Sequence, residues 1–135
     1  MTYSTGSTII DDDYNIFATG NAAGTGDNSV ANVNTVWGTG AAAKGYGQSS
    51  VLTAVTAGAT VQATSWVNMI QRIASAAAHQ STAITTISQP GVGDTVTAFA
   101  ALSANITAVF NASNNANANA ADASVSTTTT TGWNN

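Results

Sequence analysis

Few residues in this chain have the chemistry for catalysis or ligand binding. There is one histidine, His79, no cysteine, two cations (Lys44 and Arg72) and six aspartates with no glutamate. A general acid or base needs a partner at hydrogen-bond range. His79 stands in Ala-Ala-Ala-His-Gln at a predicted helix end, where capping or packing explains it better than catalysis. No serine has the Gly-x-Ser-x-Gly context of a strained nucleophile. Asp11, Asp12 and Asp13 offer oxygens for a hard cation, but a calcium loop needs alternating ligands, a glycine turn and a distal acid. Helix capping and first-turn charge are the preferred reading of that triplet. The stretch 38–48, Gly-Thr-Gly-Ala-Ala-Ala-Lys-Gly-Tyr-Gly-Gln, departs from a phosphate loop at both defining positions: Ala43 precedes Lys44 and Gly45 follows it. Its Tyr46 is expected to pack or hydrogen-bond while the flanking glycines make tight turns. Asn105-Ile-Thr107 and Asn111-Ala-Ser113 match the glycosylation triplet, yet both fall in a predicted helix with no secretion signal before it, and both are discounted. The expectation is a non-enzyme without cofactor or metal.

The elements around these residues follow an internal repeat. Gly58-Ala-Thr60-Val61-Gln-Ala63-Thr-Ser-Trp66 echoes Gly6-Ser-Thr8-Ile9-Ile-Asp11-Asp-Asp-Tyr14 before it and Gly93-Asp-Thr95-Val96-Thr-Ala98 after it. Glycine allows a turn, threonine and the β-branched residue an extended step, and the short residue a helix start. Three turn-strand-helix units, about 6–37, 58–80 and 93–111, therefore make a helical domain over 1–111. An Ala/Asn- and Thr-rich segment, 112–135, follows it.

The fold class expected is mainly α, with three helical units, short β segments and a C-terminal extended strand. In the first unit a helix runs to about Thr19, with Ile10, Tyr14, Phe17 and Ala18 on its buried face. Glycines at 20–26 break it. A second piece, capped by Asp27 or Asn28, reaches Trp37 with Val30 and Val33 inward and Asn32 and Asn34 outward. Residues 50–56 are β-branched and read as a short strand. Trp66, Ile70, Ile73 and Ala77 mark the stripe of the clearest helix, ending near His79 or Gln80. Leu102, Ile106, Val109 and Phe110 mark that of the last, over roughly 98–111. Trp37 and Trp66 are assigned to the core rather than to a stacking site for sugars. Tyr46, Val125 and Trp133 are the candidate subunit contacts, Val125 opening a threonine run that prefers extension.

Composition bounds the partners. Hydrophobic residues make up 44% of the 135, but many are alanine and only three each are Trp, Tyr and Phe, so a monomer buries little area. With no disulfide or structural metal to add, self-association is the expected staple. Charged residues are 6% and the net charge is −4, which argues against nucleic acid or an anionic membrane. No apolar run approaches the roughly 18 residues of a membrane span, and the polar start lacks a signal peptide's features, so the chain is expected to be soluble when unassembled.

Several of these residues in order resemble a known family. Asp13-Tyr14-Asn15, then Asn32-x-Asn34-Thr-Val36-Trp37-Gly38-Thr39-Gly40, then Lys44-Gly45-Tyr46-Gly47-Gln48, is similar to a signature of tailed-phage virion structural proteins. These are tail-fibre or fibre-like proteins, notably of marine phages and cyanophages. The stretch 58–66 with His79-Gln80 resembles the family's middle segment and 93–96 its third. The insertion at 20–28 and the Ala/Asn-rich tail depart from it. The resemblance implies a structural protein, found in a virion or an extracellular fibre, that forms a homo-oligomer or helical polymer. An adhesin-like module touching a host glycan or protein through Tyr46 or Trp133 is the alternative.

Overall fold

A computed structural model describes residues 10–38, 45–92 and 98–113. The protein is mainly α: among the described residues there are four helices and no strand. They are α1 (Asp11–Thr19), α2 (Val33–Trp37), α3 (Ala63–Gln80) and α4 (Phe99–Ala112). α3 packs against α2 and α4, and α2 also meets α1 and α4.

The aromatic side chains of three helices converge to make the core. Trp66 of α3 is 2% exposed and meets Tyr14 and Phe99 edge-on, at centroid distances of 5.5 and 5.4 Å. Phe17 stacks on Phe99 at 6.0 Å. Edge-to-face and offset pairs at these distances add about 0.5–1.5 kcal/mol each beyond their buried area. Met69, Ile73, Ala76 and Ala77 continue the buried stripe of α3, facing a cluster that includes Leu102, Ile106 and Val109. The 3.6-residue period read in the sequence is the cause, since it turns one face of each helix inward.

Polar residues hold what the helices do not. Asn32 is fully buried and caps α2, accepting from the Thr35 N–H at 2.8 Å while its amide donates to Thr35 Oγ1 and to the carbonyls of Asp27 and Val30. The expected start of this helix at 27 or 28 is thereby corrected. Asp27 instead accepts from the backbone and hydroxyl of Ser29, closing a turn. Those bonds hold its carboxyl below the usual range. The turn's contribution is therefore present above the unfolded carboxylate range and fades as acid protonates Asp27. Val30 and Ile10, both expected inside, are 41% and 49% exposed. Asn32 is buried where it was expected to face outward. The aspartate triplet lies within the first turn of α1, where its charge suits the helix dipole. It does not cap, because Ile10 occupies the N-cap without a side-chain bond.

The predicted strand at 50–56 is also corrected. Its chain is irregular and lies over α1 and α2, pinned by two asparagine side chains in place of a neighbouring strand. Asn34 Nδ2 donates to the Leu52 carbonyl at 2.8 Å and its Oδ1 accepts from the Leu52 N–H at 2.7 Å. Asn15 treats Val55 the same way, at 2.9 and 2.8 Å, and donates also to the Ala22 carbonyl. A third clasp joins Asn105 of α4 to both backbone groups of Thr85, at 2.8 and 2.9 Å. Here burial recurs at every third residue: Ile84, Ile87 and Pro90 are half-buried while the residues between them are exposed. Three is the period of an extended polyproline-type chain, not the two of a strand.

Gly20 has to be glycine. It ends α1 at φ 96°, and an added Cβ would lie 2.6 Å from the Asp27 carbonyl oxygen and 2.8 Å from Val30 Cγ2.

Each clasp combines two hydrogen bonds of about 1 kcal/mol net, and its loss leaves backbone groups unpaired at about 1–3 kcal/mol. Asn105→Ala and Asn15→Ala should each lower unfolding stability by about 2–4 kcal/mol in urea titration, whereas Asn68→Ala, at an exposed site on α3, should change it by less than about 0.5. Equal effects at all three sites would contradict the assignment. In Asn105→Asp a carboxylate would face the Thr85 carbonyl, raising the folded-state pKa. The deficit relative to the parent should then narrow as pH falls from the raised folded-state value towards the unfolded value of about 4, and level off below it.

Candidate functional site

The described cation, histidine and two aromatic residues meet on one side of α3. Residues 45–48 are laid along the end of α2 by backbone bonds from Tyr46 to Val36, Gly47 to Gly38 and Gln48 to Trp37, of 2.9, 2.8 and 3.1 Å. These satisfy carbonyls that the short helix leaves open. The Tyr46 ring is thereby set edge-on to His79, at 4.9 Å. Two turns earlier on the same side of α3, Arg72 lies over the Trp37 ring with its guanidinium carbon 5.7 Å from the centroid, a cation–π contact. Trp37 Nε1 reaches Ser50 Oγ at 3.5 Å.

His79 is exposed, and its neighbour here is a ring rather than a carboxylate. Tyr46 Oη and Arg72 Nη1 are buried without a hydrogen-bond partner among the described residues. Burial lowers the Arg72 pKa, partly offset by the nearby Tyr14, and burial raises that of Tyr14 against the pull of Arg72 and a Ser65 hydrogen bond. These are the shifts of groups packed into a core edge. Among the described residues no three His, Cys, Asp or Glu side chains gather as a metal site. None of the helices is long and apolar enough to cross a membrane.

A second feature is a groove of about 370 Å³ between α3 and residues 82–89. Ile70, Ala74 and Ala78 form its helical wall, with Ile84 and Ile87 opposite, and no charged residue lines it. A second hollow, beside Asp11, Gly58 and Trp66, is crossed by a 3.3 Å bond from the Gly58 N–H to Asp11.

No protein-family model, curated protein or solved structure matches the chain.

Tyr14, Phe17, Val33, Trp66, Ile70, Ile73, Leu102 and Ile106 are buried, and Trp37 and Phe110 half-buried. Tyr46, read as a subunit contact, packs within its own chain on His79 and stays half-buried. Val125, Trp133 and Lys44 lie outside the described residues, as do the first and third glycine turns. Asn105 gives both amide functions to Thr85 and is 4% exposed, which closes it to glycosylation. The three clasping asparagines are the functional residues that sequence reasoning missed. Their signal was position, for Asn105 falls three residues after Leu102 and four before Val109, on the buried stripe.

The unpartnered Tyr46 hydroxyl generates a test. Tyr46→Phe removes a buried polar group and retains the ring, so thermal unfolding should show equal or higher stability. A clear loss would mean that the hydroxyl has a partner on which the loop depends.

Proposed function

We propose that the chain is a structural subunit that associates with copies of itself, as in a virus-encoded fibre or a tail or neck assembly. The observation that carries this reading is the character of the surface laid over the helices. Residues 45–61 and 80–92 contain no charged side chain. Many of these residues are exposed, Thr53 and Thr86 among them. A surface of this kind can be covered by another subunit without desolvating a charge. Val92, 97% exposed, and Val51, 48% exposed, add apolar contact area. The small aromatic core and the likeness of residues 13–48 to fibre proteins support the same reading.

A second reading has its own observation. The half-buried Trp37 and Tyr46, with exposed His79, present ring surface beside a cation, an arrangement that can stack on a sugar or a planar side chain. It favours an adhesin-like module contacting a host glycan or protein.

Light scattering across dilution distinguishes the two. Self-association predicts a mass well above the 13.4 kDa of one chain that falls on dilution, with filaments or rings in negative stain. A solution of monomers at all concentrations that retains glycan binding would overturn it in favour of the module.

A further inference from the structure

We infer that Trp133 of one copy seats in the groove between α3 and residues 82–89 of the next, which makes the C-terminal segment the connector of the assembly. This rests on the self-association reading and names its contact. The groove holds about 370 Å³, and small side chains on its helical wall, Ala74 and Ala78, leave room between Ile70 and the opposed Ile84 and Ile87. Those two alanines are exposed on α3, so the wall is open to an incoming group. Thr82, Gln71 and Gln89 at the lining provide acceptors for an indole N–H, which a buried tryptophan needs.

The occupant is chosen by what the chain has left to place. Trp66 is in the core and Trp37 holds Arg72, leaving Trp133 as the tryptophan without a position among the described residues. Within residues 114–135 Val125 and Trp133 are the bulky apolar side chains and Asp122 the sole charge, which fits a groove lined without charge. The starting point of that segment also fits. Gln80 Nε2 donates to the Val109 carbonyl at 3.2 Å, which sets the end of α4 beside the end of α3, where Ala78 and Thr82 begin the groove. An extended chain covers about 3.3 Å per residue, so the stretch from Ser113 to Trp133 can reach a neighbouring subunit's groove. One knob and one groove per chain, facing different copies, give a head-to-tail contact that propagates.

The test uses full-length chains, with folding checked by circular dichroism. Trp133→Ala removes the knob. Ala74→Glu, and separately Ala78→Glu, places a charged side chain in the groove from an exposed helical position without touching the core. Each variant should associate at least tenfold more weakly than the parent by light scattering. An equal mixture of Trp133→Ala and Ala74→Glu should form a one-to-one complex, since one supplies an open groove and the other a free tryptophan. If the parent associates and all variants do so equally, the contact lies elsewhere and only this inference falls. If the variants weaken association but the mixture forms no pair, the proposed one-to-one fit is wrong. If the parent is monomeric throughout, the self-association reading falls with it.

Discussion

Three helix-borne carboxamides, each gripping one residue of an extended segment by both its N–H and its C=O, tie together a chain whose helices alone do not enclose it. Asn15 of α1, Asn34 of α2 and Asn105 of α4 do this for Val55, Leu52 and Thr85. The carboxamide supplies a donor and an acceptor on one carbon, so it pairs with an extended residue as a facing strand would. A helix can thus bond to a strand-like segment without a sheet. The two long connections, otherwise free to leave the surface, become walls of the domain, with Leu52 buried and Ile84 and Ile87 half-buried beneath them.

This arrangement links the core to the surface. The aromatic cluster around Trp66 fixes the relation of α1, α3 and α4, and that relation sets the positions from which Asn15 and Asn105 reach out. Buried amides are costly when unpaired, but Asn15 uses both of its amide protons and its oxygen, so burial favours one arrangement over its neighbours. The segments so held carry no charged side chain, and an apolar groove lies beside one of them. The proposed assembly uses both.

The sequence made the helices legible and the clasps hardly at all. Trp66, Ile70 and Ile73, like Leu102 and Ile106, repeat at helical spacing, and the structure has helices Ala63–Gln80 and Phe99–Ala112 there. Asparagine reads as a surface residue in such patterns, which turns Asn32 and Asn34 outward, although one caps α2 and the other holds Leu52. Counting β-branched residues at 50–56 suggested a strand, because composition reports a preference for extension and not the partner that satisfies it. The cluster of Trp37, Tyr46, Arg72 and His79 joins residues from α2, a loop and two turns of α3, and no local pattern announces such a meeting. A polar residue at a buried register, as with Asn105, was the available clue.

Native-state hydrogen exchange at three backbone amides tests the central claim most directly. If the carboxamides hold the extended segments to the helices, the N–H groups of Leu52, Val55 and Thr85 exchange as slowly as the core amides of α3, through the same cooperative opening, while exposed neighbours such as Thr53 and Thr86 exchange fast. Fast exchange at all five, with α3 still protected, would show that the segments are not held and would contradict the account.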